Sequence, residues 1–118
     1  MRKIEQAMIE AIRNKKNFTR SNTSVYLEPL PDGREVAEVY LHGNPIASVI
    51  FSHRDSSRIE EIRLSDAGWK TVTTKSRLNA VLQTFVPGAY IYQKNYRWYI
   101  HLGGKDYRWD DWNGVIEL

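Results

Sequence analysis

The chain has 118 residues, 17 lysines and arginines against 14 aspartates and glutamates, and no cysteine. That length suits one domain with a real apolar core. Without cysteine, disulfides, thiol catalysis and cysteine-ligated zinc are excluded, and a reducing compartment fits.

No apolar run is long enough to span a bilayer, so no membrane association is expected. The opening Met1–Gln6 is a mixed-charge stretch with no apolar core, so it is not read as a signal peptide. A cytoplasmic protein is the expectation. The net charge of +3 is unevenly placed. Arg2, Lys3, Arg13, Lys15, Lys16 and Arg20 face only Glu5 and Glu10 within residues 1–20, so the excess lies there. Such a segment can meet phosphates, or it can be a solvated helix whose late cations suit the helix dipole.

Residues 2–16 read as a helix with a narrow stripe of Ile4, Ala7, Met8, Ala11 and Ile12, lying on the domain rather than at its centre. Asn17–Asn22 reads as a polar connector. Val25–Glu28 reads as a short strand, limited by Pro29 and Pro31. Pro31-Asp-Gly-Arg34 is a turn, because proline presets φ and glycine takes the positive-φ position. Glu35–Leu41 and Ile46–Phe51 alternate with period two and pair as a hairpin around His42–Pro45. After the polar loop Ser52–Arg58, Ile59–Leu64 mixes helical spacing (Ile59, Ile62) with strand spacing (Ile62, Leu64), and is taken as a strand because it is short and follows a meander.

Asp66–Gln83 is the stretch around which the chain is organised. Gly68 permits a tight turn and Trp69 is expected as an apolar anchor beside it. Thr71–Thr74 favour extended backbone. A helix at about 75–86 follows, capped by Thr73, Thr74 or Ser76, with Leu78, Val81, Leu82 and Phe85 as its apolar stripe. Pro87-Gly88 ends it.

Ala89–Gln93 and Tyr96–Leu102 read as a hairpin about Lys94-Asn95, with Tyr96 and Trp98 assigned to the core. Gly103-Gly104 is the next turn, Lys105–Trp109 a third strand and Val115–Leu118 an edge strand. The order predicts one α+β domain over 1–118. Residues 1–20 form a basic N-terminal helix and connector, and residues 23–118 an antiparallel meander with helix 75–86 packed on it.

Three runs carry a resemblance: Val39-Tyr-Leu-His-Gly-Asn-Pro-Ile-Ala47, Asp66-Ala-Gly-Trp-Lys-Thr-Val-Thr-Thr-Lys-Ser-Arg-Leu-Asn-Ala-Val-Leu82 and Ile91-Tyr-Gln-Lys-Asn-Tyr-Arg-Trp-Tyr99. Over residues 39–99 the chain resembles a family of small uncharacterised bacteriophage proteins, with the N-terminal helix outside the likeness. The resemblance implies a phage origin, hence a host-cell cytoplasm, and says nothing of mechanism.

Chemistry is sparsely signalled. His42 sits in a turn with no carboxylate adjacent in sequence, so it is read as filling that turn. Asp106, Asp110 and Asp111 are hard oxygen ligands but lack the spacing of a calcium loop, and are read as offsetting Lys105 and Arg108. No phosphate-cradling glycine loop, serine elbow or HExxH pattern occurs. The expectation is a non-enzyme with no cofactor and no metal.

The main functional signal is the interleaving of rings and cations in Tyr92, Lys94, Tyr96, Arg97, Tyr99, His101, Tyr107 and Arg108, with Tyr96 expected to point into the core. Such a sheet face can stack unpaired bases and hold a phosphate backbone. Lys70, Lys75 and Arg77 flank the start of the second helix, where free N–H groups favour anions. The leading expectation is a phage-type accessory protein that binds nucleic acid. The alternative is a protein-binding inhibitor or regulator of a host factor or host defence system, of the anti-CRISPR type, with a patch around Tyr92, Tyr99, Tyr107 and Trp112. A homodimer can form through the first helix or by edge-strand pairing.

Overall fold

A computed structural model describes residues 1–118. The elements run α1 (Lys3–Arg13), β1 (Phe18–Arg20), β2 (Thr23–Pro29), β3 (Glu35–Leu41), β4 (Asn44–Phe51), β5 (Ile59–Leu64), α2 (Val72–Phe85), β6 (Tyr90–Lys94), β7 (Arg97–Leu102), β8 (Lys105–Arg108), a 3-10 turn (Trp109–Asp111) and β9 (Val115–Glu117). This is an α+β fold, but its strands form two sheets rather than one. The large sheet has the order β1-β2-β3-β4-β5-β9 and the small one β6-β7-β8, with every pairing antiparallel. The chain leaves the large sheet after β5, builds α2 and the small sheet, and returns to pair β9 with β5. The large sheet is closed at both edges by three-residue strands, which leaves little edge to template association. No helix is long and apolar enough to cross a membrane.

Period-two alternation explains the inner face of the large sheet. Val25, Val39, Ala47 and Leu64 lie opposite one another across four strands, and Ala37, Val49, Ile62 and Ile116 form the next row. All eight belong to one buried cluster with Met8 and Ile12 of α1 and Leu78, Val81 and Leu82 of α2. Burying each of the valines, leucines, isoleucines and the methionine among them stabilises by about 1.5–3 kcal/mol.

Helix α1 is shorter and deeper than its sequence suggested. It buries Met8, Ile9, Ala11, Ile12 and Glu5, and leaves Ile4 only half-buried. Lys15 turns to φ +53 and the amides of Lys15 and Lys16 return to the carbonyls of Ile12 and Ala11, a Schellman stop. Lys15 then reaches Glu35 at 3.0 Å and lies 4.7 Å over the Phe51 ring. The supposed connector holds β1, whose three residues, Phe18-Thr19-Arg20, are too few to show an apolar period.

Helix α2 starts three residues earlier than expected. Thr71 is the cap, its Oγ1 accepting from the Thr74 amide at 3.0 Å, so Val72, Thr73 and Thr74 are helical and not extended. One hydrogen-bonded cap outweighs the modest preference of threonine for strand. Of the predicted stripe, Leu78, Val81 and Leu82 are buried and Phe85 is half-buried. Trp69 does not anchor anything: it is 64% exposed.

The small sheet is tied to α2 through Asn79. Its Oδ1 accepts from the Ile91 amide at 2.7 Å and its Nδ2 donates to the Ile91 carbonyl at 2.9 Å, closing the outer edge of β6. Asn79→Ala leaves both backbone groups without partners. It is expected to cost about 1–3 kcal/mol in urea denaturation, with faster amide exchange at Ile91.

Candidate nucleic-acid interface

The register of the small sheet follows from its two turns. Asn95 and Tyr96 both take positive φ, +51 and +64, so they form a two-residue hairpin turn that sets Lys94 opposite Arg97. Gly103-Gly104 does the same between Leu102 and Lys105. Directly opposed residues share a face, so the open face carries three rows. The first is Lys94 beside Arg97, the second Tyr92, Tyr99 and Arg108, and the third Tyr90, His101 and Asp106. The other face carries Ile91, Trp98 and Ile100 and packs into the core.

The rings of the open face are preorganised against each other. Tyr92 and Tyr99 stack with centroids 5.4 Å apart, Tyr90 and His101 at 5.0 Å, and Tyr90 leans on Tyr92 at 5.8 Å. Asp106 Oδ1 accepts from the Tyr92 hydroxyl at 3.1 Å and lies 3.0 Å from His101 Nδ1. The His101 and Tyr92 hydrogen bonds hold the Asp106 carboxyl below the usual carboxylate range. Partial desolvation, then the Asp106 bond, push the Tyr92 phenol up, so both keep their neutral-pH forms. Asp106 is the one acid of the lattice, set against Lys94, Arg97 and Arg108. Lys94 and Arg97 enter no ion pair, and two cations placed directly across a hairpin repel. Arg108 has Asp111 at 3.7 Å, a loose surface pair.

The residues singled out from sequence divide between separate places. Tyr92, Lys94, Arg97, Tyr99, His101 and Arg108 share the open face. Tyr107 does not: it stands opposite Ile100, on the reverse side. The supposed protein-binding patch is therefore broken, because Trp112 is also half-buried against Trp109 at 5.6 Å. Lys70 is held by Asp66 at 3.1 Å and Asp110 at 2.9 Å, which raise its pKa. Lys75 lies on α2 and not on the small sheet. Arg77 is not a surface cation at all. It is 3% exposed, and its Nη1 donates to Glu5 Oε2 at 2.8 Å, its Nε to Thr23 Oγ1 at 3.0 Å and its Nη2 to Asn22 Oδ1 at 3.3 Å.

Two residues of this surface escaped the sequence reading. Tyr90 belongs to the lattice by register. Tyr96, assigned to the core, is 95% exposed at the hairpin tip, because the turn is Asn95-Tyr96 and not Lys94-Asn95. Tyr90 follows from period two with Tyr92, and Tyr96 from the turn lying one residue later. The three aspartates are tied to different partners: Asp106 to Tyr92 and His101, Asp110 to Lys70, Asp111 to Arg108. No group of three or more histidines or acids is arranged to hold a metal ion.

A family model described as Kyanoviridae Gp96 protein matches residues 1–116. The match is wider than the resemblance carried by residues 39–99 and includes α1. No curated protein and no solved structure matches the chain. The buried tie between Glu5 of α1 and Arg77 of α2 gives the wider match its physical sense, since the first helix is part of the core that the central stretch builds. The chain belongs to the Kyanoviridae Gp96 protein family, a family of bacteriophage proteins.

Proposed function

We propose that this protein acts by binding, without carrying out a reaction, and that its ligand is single-stranded nucleic acid held on the open face of the small sheet. One observation carries the reading. Cross-strand register puts three tyrosines and a histidine in one lattice with Lys94, Arg97 and Arg108 on its rim. Every base offers a π-face, so stacking on such rings tolerates sequence, while the cations hold the phosphates. A duplex hides its base faces, so it can meet the cations of this face but offers the rings nothing to stack on.

The tip residue supports the same reading. An exposed tyrosine at positive φ costs backbone energy that glycine would not incur, and strain of this kind collects at functional sites. Tyr96→Gly is expected to stabilise the fold by about 0.5–1 kcal/mol, because glycine is preferred in that turn, and to weaken binding at the same time. Opposite signs in denaturation and in binding mark Tyr96 as a contact residue. Equal binding with the gain in stability would remove it from the site.

The reading is tested by fluorescence anisotropy of labelled random single strands, DNA and RNA, against duplexes of the same composition at low and physiological salt. With three rim cations, log K should fall with log salt with a slope of about −2. Tyr99→Ala is expected to lose about 1–3 kcal/mol of binding, and Arg97→Ala to flatten the slope by about 0.7. Absence of single-strand binding at low salt, or equal affinity for duplex, would overturn the proposal.

A further inference from the structure

A concavity lies outside the small-sheet lattice, between the β3–β4 turn and the start of α2. It is an open cleft of about 410 Å³, within the size range of small-ligand sites. Leu41, Ile46 and Ala67 give it an apolar wall, and the unanchored Trp69 lines it as well. Its one carboxylate, Asp66, is already saturated by the Gly68 amide at 2.7 Å, Trp109 Nε1 at 2.9 Å and Lys70 at 3.1 Å. The hydroxyls of Thr71 and Thr74 are bonded to each other at 2.8 Å. What remains uncommitted is the His42 imidazole, the Asn44 amide, which makes only a 3.4 Å contact to the His42 carbonyl, and the Thr73 hydroxyl.

These features select a ligand. No uncommitted charge lines the cleft, which favours a neutral group. A large indole beside an apolar wall favours a flat ring with apolar faces. An amide, an imidazole and a hydroxyl supply both donors and acceptors, which matches the mixed polar edge of a base. We propose that this cleft binds a neutral nucleobase, stacked on Trp69 and read at its edge by Asn44, His42 and Thr73. The inference stands independently of the small-sheet lattice. The base can belong to a free nucleoside or to an unpaired position of a strand.

Trp69 is the one exposed indole and so the one open to contact quenching, while Trp98 and Trp109 are buried and Trp112 is half-buried. Indole fluorescence is followed while adenosine, guanosine, cytidine or thymidine is added to millimolar concentration, and in parallel with the matching homo-oligonucleotides. Saturable quenching is expected, weakened about tenfold in Asn44→Ala, which keeps the reporter. Calorimetry on Trp69→Ala, an exposed position whose loss does not threaten the fold, is expected to show binding abolished. Quenching by free nucleosides assigns the cleft to a small molecule. Quenching by oligonucleotides alone, lost in Asn44→Ala and kept in Arg97→Ala, assigns it to a base of a strand. No saturable quenching by either, or identical quenching in Asn44→Ala, overturns the proposal.

Discussion

Arg77→Ala is expected to destabilise the protein by about 3–5 kcal/mol, because it strands a buried carboxylate. Glu5, 2% exposed, accepts from Arg77 Nη1 at 2.8 Å and Ser76 Oγ at 2.6 Å through Oε2, and from the Arg2 amide at 3.0 Å through Oε1. The same guanidinium holds Thr23 and Asn22, so one side chain joins α1, α2 and the start of β2. Arg77→Lys is expected to fall well short of rescue, since an ammonium cannot reproduce the planar fork. Replacing both partners, as in Glu5→Leu with Arg77→Met, should cost far less than either single change. Urea denaturation at neutral pH checks the series. A loss below about 1 kcal/mol for Arg77→Ala would contradict the account.

The pair also sets a pH dependence. Burial pulls the Glu5 carboxyl up, but the bonds from Ser76, Arg2 and Arg77, with the Arg77 charge, outweigh it and leave its pKa below the usual value. A depressed folded-state pKa means stability that is fully present above the unfolded pKa, about 4.3. It is lost as pH falls through the lower, folded value. Acid unfolding should therefore flatten in the Glu5→Leu, Arg77→Met protein.

Trp98→Ala is the second large effect, expected at about 3–5 kcal/mol. Its indole lies under the small sheet and meets Trp109 edge to face at 5.8 Å. Trp109 in turn donates to Asp66, which caps the turn at Gly68 and holds Lys70. Truncation opens a cavity between the small sheet and this chain of contacts. The near-UV circular dichroism of the tryptophan pair should collapse. Single-strand affinity should fall as well, although Trp98 never reaches the open face, because the rings above it lose a rigid base. Full retention of binding would show that the lattice is held from elsewhere.

Much of this fold can be read locally. Ile59–Leu64 mixes helical and strand spacings and is placed by its shortness after a meander, while Glu35–Leu41 emerges with its observed bounds because its period is a property of neighbours. The stripe of α2 is legible for the same reason. The misplacements concern partners that sequence spacing does not reveal. Arg77 and Glu5 are 72 residues apart, and on a helix surface an arginine reads as solvated until its carboxylate is found. Tyr107 alternates with cations like its neighbours, but only the pairing with Ile100 assigns its face. Tyr96 was lost to a turn placed one residue early. The division into two sheets depends on the return of β9 to β5, a contact that closes the chain from its far end. Within the candidate site, composition marked the segment, and register decided which of its residues meet.

Single-strand binding is tied to one place, the open face of the small sheet. Its most direct measurement is a ¹H–¹⁵N correlation titration of the labelled protein with a short single strand at low salt. Progressive shifts confined to Tyr90, Tyr92, Lys94, Tyr96, Arg97, Tyr99, His101 and Arg108, with Lys105 and Tyr107 little moved, are the predicted result. Shifts centred on α1 or the N-terminus of α2, or no shifts while the protein stays folded, would contradict it.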